Sequence, residues 1–329
     1  MSVFLRPLPG GLFPRLVALL PLLFPLYVVQ GIFLGVPVTL PEVFLAAILF
    51  YFLFEHESFR RHEWKLWPVP LFVLGLGIWT LQLGLGLEGL KTVLLFPLLY
   101  FVMARSIFRE KASMLLLSQR AFMVAALFLA LSVVQTFLSR GGGVLPLEAP
   151  FGGEGALLVI FGSAFVLSFL RSVFFSSKQD LLFSLGVLLM TGIALILLQA
   201  LWVFWVVLFC LGISALLRLP KRVWRLLAVG IWSLVFYGGL FWLHQKGFLL
   251  LPPLPFFDSF PGFFALILLF SSGLWLLAKT LPWIQERDIQ GRFALATSLL
   301  CFGLLAFLEW PHLTASHAFL FWFFMASLL

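Results

Sequence analysis

The chain has 329 residues, 63% hydrophobic and 10% charged, with a formal net charge of +8. A soluble domain carries about 25% charged residues, so a water-soluble globule is excluded as a description of the whole chain. The basic excess lies between long apolar runs, where it orients helices in a bilayer, and no nucleic-acid partner is expected.

The apolar runs are continuous rather than alternating, which excludes a transmembrane barrel. Most are long enough to cross a hydrocarbon core of about 30 Å as helices. The first predicted span, 13–34, contains Pro14, Pro21 and Pro25 and lacks a small-residue cleavage site. It reads as a retained helix, weakened in its outer half by proline, rather than a cleaved signal. The second, 37–54, has Pro41 in its first turn and Glu42 where a carboxylate complements the positive end of a helix. Spans 67–87 and 89–104 divide at Glu88-Gly89, and Gly75, Gly77, Gly84 and Gly86 serve close helix packing. Span 121–138 leads through a glycine-rich outer loop, 139–154, to span 155–175, which Glu154 opens. The apolar stretch 181–217 divides at Gln199 into spans 181–198 and 200–217. Span 223–243 is followed by a second outer loop, 244–260, rich in proline and phenylalanine and expected to cover the bundle. Spans 261–281, 293–308 and 315–329 complete the chain.

Charge distribution supports these divisions. With the N-terminus in the cytoplasm, 18 of the 21 lysines and arginines lie on the inner side, and only Lys91, Arg140 and Lys246 lie outside. Removing either uncertain division reverses every downstream segment and destroys the asymmetry. The expected fold is therefore all-α: a polytopic integral membrane helical bundle of about twelve transmembrane helices. It forms a single domain over residues 1–329, with both termini in the cytoplasm.

Few residues within the spans carry chemistry. Gln30, Thr80, Gln82, Gln135, Thr191 and Gln199 are neutral and expected to bond neighbouring helices. Charged groups at membrane depth are costly and mark function; no clear midplane position holds one, which argues against an ion-driven transporter. Cys210 and Cys301 read as packing residues. His312 and His317 are five apart around a helix start, a poor spacing for ligands on one face, and no metal or soluble cofactor is expected. The outer titratable groups also include Glu88, Glu148, Glu154, His244, Asp258 and Glu309. Glu309 and His312 flank Trp310-Pro311, as either a base and its orienter or a solvated turn. Nucleophile triads, Walker loops and dinucleotide fingerprints are lacking.

Four stretches together resemble the bacterial O-antigen ligase and polymerase superfamily: GVPVTLPEVFLAAILF (35–50), LEGLKTVLLFPLLYFVMARSI (87–107), FGGEGALLVIFGSA (151–164) and LEWPHLTASHAFLFWFFMASLL (308–329). Glu154 stands where the family tends to place asparagine. The resemblance, one of helix order, implies a glycosyltransferase-like protein of the bacterial inner membrane in cell-envelope polysaccharide biosynthesis. Its partners would be the lipid bilayer and a polyprenyl-diphosphate-linked glycan. On that reading His244 or Glu154 acts as base on the acceptor hydroxyl. Lys246, Arg140 and Lys91 counter the diphosphate, with Glu309 and His312 at the substrate. The sequence also departs from the family: MTGIALILLQALWVFW (190–205) lacks its arginine, and the loop 244–260 is short. These departures point to the alternative of a catalytically degenerate scaffold or binding subunit with other membrane subunits as partners. A lipid or apolar-solute transporter is a third reading.

Overall fold

The computed structural model describes residues 12–23, 30–33, 36–55, 95–110, 112–139, 154–173, 177–216, 292–308 and 315–328, together with Ile231 and Val235. These residues are almost entirely helical. Spans 67–87 and 261–281, span 223–243 apart from Ile231 and Val235, the division at Glu88-Gly89, and the residues Thr80, Gln82, Gly75, Gly77, Gly84 and Gly86 lie outside them.

The first expected span is corrected. Helix α1 covers only Leu12–Leu19, continues as a tighter turn through residue 23, and is about 12 Å long as an α-helix. Pro21 lacks an N–H and its ring clashes with the carbonyl four residues earlier, which stops an α-helix here. Residues 30–33 are then strand β1 (Gln30–Phe33), paired antiparallel with β2 (Val36–Thr39), so the bundle is not purely α. Gln30 faces Thr39 and Phe33 faces Val36. Pro37, opposite Ile32, is tolerated because a two-stranded ribbon has only edges.

Helix α2 (Leu40–Glu55) follows β2 directly. Its start is the pattern Thr39-Leu40-Pro41-Glu42, in which the Thr39 N–H donates to Glu42 Oε2 at 2.8 Å. This is the carboxylate half of a capping box, and it gives Glu42 the helix-end role expected of it.

Helix α3 (Phe96–Glu110) overlaps the fourth expected span but runs beyond it at its C-terminal end. Helix α4 (Ala112–Ser139) begins nine residues before the expected 121. It contains no proline or glycine, and Arg120 sustains helix as well as leucine does, so the charge marks no helix end. At 28 residues α4 is about 42 Å long. Helices α5 (Glu154–Val173), α6 (Lys178–Leu197), α7 (Leu201–Leu216), α8 (Arg292–Leu308) and α9 (Ala315–Leu328) match their expected spans to within about three residues. Two of these helices, α4 and α6, are long and apolar enough by themselves to cross a membrane.

The division at Gln199 has a defined geometry. The Gln199 N–H donates to the Ile196 carbonyl at 2.9 Å and the Ala200 N–H to the Leu195 carbonyl at 3.0 Å. Gln199 itself sits at φ 55°. These are the two hydrogen bonds of a Schellman cap, with glutamine at the left-handed position usually held by glycine.

Helix α9 lies at the centre. Phe319, Leu320, Trp322, Phe323, Phe324, Met325 and Ala326 are all buried, as expected of a helix apolar on every side. Tyr100 stacks on Phe319 with centroids 4.4 Å apart, and Phe101 meets Trp322 at 5.0 Å. Phe122 of α4 adds tilted and edge contacts to Phe323 and Phe324. On the other side, the Thr297 hydroxyl donates to the Ser214 hydroxyl at 2.9 Å, joining α8 to α7. The free thiols of Cys210 and Cys301, both buried, adjoin one helical turn further on. One number falls as the other rises, so α7 and α8 run antiparallel. Gly162 of α5 brings its backbone against Leu305 and Val203, where a Cβ would collide with the end of the Leu305 side chain.

Two outward-facing stripes complete the picture. Leu182, Leu185, Leu189 and Ile196 of α6 are exposed, as are Phe128, Leu131 and Leu138 of α4.

Candidate functional site

Charged side chains from three helices meet at one end of the bundle. Arg120, two turns into α4, donates through Nη2 to Asp180 Oδ1 at 2.5 Å. The side chains are 20% and 11% exposed, so the pair is largely out of water. Asp180 is held by the start of its own helix. Ser177 is the N-cap of α6, its hydroxyl accepting from the Asp180 N–H at 3.2 Å and donating to Asp180 Oδ2 at 3.1 Å. This is the hydroxyl half of a capping box, with the carboxylate accepting from the Ser177 hydroxyl rather than from its N–H. Arg171, near the end of α5, donates through Nη1 to Gln119 Oε1 of α4 at 2.5 Å and lies within electrostatic reach of both Asp180 and Arg120.

The layer has a constant depth. From Arg120 to Ser139, from Arg171 back to Glu154, and from Asp180 to Leu197 the helices extend about 29, 26 and 26 Å. Residues 121–138, 155–170 and 181–197 between these limits contain no Asp, Glu, Lys, Arg or His. Three uncharged lengths close to a hydrocarbon thickness therefore start from one ionic plane.

This plane was partly visible in the sequence. Arg120 and Arg171 register there only as inner loop charges, because a positive count treats each lysine or arginine singly. Ser177-Lys178-Gln179-Asp180 is a legible cap signal that the apolar runs overshadow.

Of the residues expected to act on substrate, His244, Lys246, Arg140, Lys91, Glu309 and His312 lie outside the described residues. Glu154 is the first residue of α5, as its position after Gly152-Gly153 predicts. The neutral polar residues behave differently from expectation. Thr191 donates to the Val187 and Leu188 carbonyls of its own helix at 2.8 and 3.2 Å rather than across the bundle. Gln135 is exposed on α4, Gln199 is exposed at a cap, and Gln30 lies in a strand. A hydroxyl buried in helix has a carbonyl one turn back always within reach, so local bonding wins unless a neighbour offers a partner. The bond across helices falls instead to Thr297 and Ser214. Among the described residues no three His, Cys, Asp or Glu side chains gather as metal ligands.

No protein-family model matches the chain, and neither a curated protein nor a solved structure is found to match it.

Proposed function

We propose that the chain is a multi-pass protein of the bacterial inner membrane, crossing about twelve times with both termini in the cytoplasm, the first crossing begun by the short helix α1 rather than made by one continuous helix. We further propose that it acts at the outer face on polyprenyl-diphosphate-linked glycans. The outward apolar stripe of α6 carries the membrane part. Leu182, Leu185, Leu189 and Ile196 stand exposed along one side of a helix with no charge beyond Asp180. Each such side chain gains about 1.5–3 kcal/mol on leaving water, and lipid supplies that environment. The ionic plane of Arg120, Asp180 and Arg171 then sits at the boundary between hydrocarbon and headgroups.

The glycan part rests on the resemblance in helix order, and its test falls on the three outer cations. A diphosphate donor needs positive partners, and Lys91, Arg140 and Lys246 are the lysines and arginines assigned to that face. Replacing Arg140 and Lys246 together by glutamine should abolish transfer and let the lipid-linked donor accumulate, while the protein still inserts. Normal transfer in the double variant removes this assignment of the cationic site. Donor levels that do not respond even to deletion of the wild-type protein remove the enzyme.

A second reading, a non-catalytic subunit, is favoured by the missing arginine in 190–205 and the short loop 244–260. It predicts a co-purifying membrane protein whose retention survives the double substitution. For a transporter, the uncharged stretches of α4, α5 and α6 provide no coupling group.

A further inference from the structure

We propose that Arg120 and Arg171 bind the phosphate of an anionic phospholipid headgroup in the leaflet bordering their end of the bundle. The inference rests on the membrane placement of α4, α5 and α6 and is independent of the glycan activity.

Position comes first. The two guanidiniums lie about 26–29 Å from the far ends of their helices, across stretches free of charge. That is the depth at which phospholipid phosphates meet a protein surface. Under the twelve-span topology this is the cytoplasmic leaflet, where anionic lipids attract basic side chains.

Charge comes second. Arg120 and Arg171 are close enough to repel, and Asp180 is the carboxylate both of them feel. The trio therefore keeps one positive charge in excess. Arg171 has its Nη1 on a neutral amide, Gln119 Oε1, which satisfies a hydrogen bond without neutralising the cation. Lys178, exposed in the first turn of α6, adds another cation at the same end.

Unused donors come third. Arg120 commits Nη2 to Asp180 and Arg171 commits Nη1 to Gln119, which leaves further N–H donors on each guanidinium. A guanidinium offers five N–H donors in a planar fork that matches phosphate oxygens. At 20% exposure the Arg120 side chain is open on one side yet largely shielded from water, so a phosphate there would be weakly screened. A merely structural tie between helices would need no surplus cation. A headgroup site does.

The test compares the protein in nanodiscs of phosphatidylcholine with discs containing phosphatidylglycerol, following thermal unfolding. Wild-type protein should unfold at higher temperature in phosphatidylglycerol. Arg171→Gln should lose most of that gain, whatever its stability in phosphatidylcholine alone. Asp180→Asn leaves both cations uncompensated and should enlarge the gain. If Arg171→Gln does not insert, Arg171→Lys keeps the charge without the fork and should retain only part of the gain. A full phosphatidylglycerol gain in the Arg171 variant that inserts overturns the site, as does an Asp180→Asn protein that unfolds equally early in both lipids. Inorganic phosphate that reproduces the gain in phosphatidylcholine discs would assign the plane to a soluble anion and overturn the lipid. Resistance of the same protein to carbonate extraction reports membrane insertion separately, so failure of the headgroup site is distinguished from failure of the membrane reading.

Discussion

Glu42 shows how a buried carboxylate can be a matter of folding rather than chemistry. It is 1% exposed, and Oε2 accepts from the Thr39 N–H where β2 becomes α2. Glu42→Ala removes that acceptor and should cost about 1–3 kcal/mol, read as earlier thermal unfolding in detergent. Glu42→Gln keeps an acceptor oxygen and should cost less than Glu42→Ala. The threonines offer a sharper contrast. Among the described residues Thr191 bonds only carbonyls of α6, so Thr191→Val removes no helix–helix hydrogen bond there and should leave unfolding nearly unchanged. Thr297→Val strips the Ser214 hydroxyl of its donor across α7 and α8, and should cost about 0.6–1.7 kcal/mol in the same assay. Equal losses in the two variants would show that the α7–α8 bond contributes nothing of its own. Both threonines lie in apolar runs, yet only Thr191 is singled out from the sequence; which one has a partner on another helix depends on register between distant segments.

At the level of elements, apolar length is a good guide to where helices are and a poor guide to where they end. Spans α5 to α8 match the apolar runs because a cap or a charge closes each run near its helix end. Helix α4 breaks the rule because Arg120 limits the hydrocarbon-compatible stretch without limiting helix. Helix α1 breaks it in the opposite sense. Pro21 interrupts hydrogen bonding inside an apolar run, and β1 takes over at Gln30. The boundary at Gln199 lies between these cases: charge parity requires a break there, and the Schellman hydrogen bonds supply it. Glutamine at φ 55° carries a steric cost that glycine escapes. Gln199→Gly should therefore raise stability by about 0.5–1 kcal/mol, and a β-branched Gln199→Val should lower it. The checking measurement is the order of their unfolding temperatures around the wild type. A glycine variant less stable than wild type would mean that the Gln199 side chain contributes more than its backbone strain costs.

The direction in which each helix runs constrains the molecule as a whole, including segments outside the described residues. Helices α7 and α8 are antiparallel, fixed by Ser214 against Thr297 and Cys210 against Cys301. The end of α7 at Leu216 and the start of α8 at Arg292 are therefore at the same end of the bundle. On the proposed membrane reading, residues 217–291 would then cross the bilayer an even number of times. The apolar runs 223–243 and 261–281 predict two crossings, whereas re-entrant or surface-lying segments would make it zero. Position 250, between those runs, separates the possibilities. Two crossings put it on the outer side and give twelve spans in all; no crossing leaves it in the cytoplasm and gives ten. Reporter fusions at 62, 112 and 222 should report cytoplasm, and one at 145, beyond the far end of α4 from the ionic plane, should report the outer side. With these as references, a fusion at 250 should also report the outer side. A cytoplasmic signal at 250 would retain every described helix but remove two spans. It would also move His244 and Lys246 to the inner side, away from any donor at the outer face. A cytoplasmic signal at 145 would go further and reverse the orientation of α4 and α5.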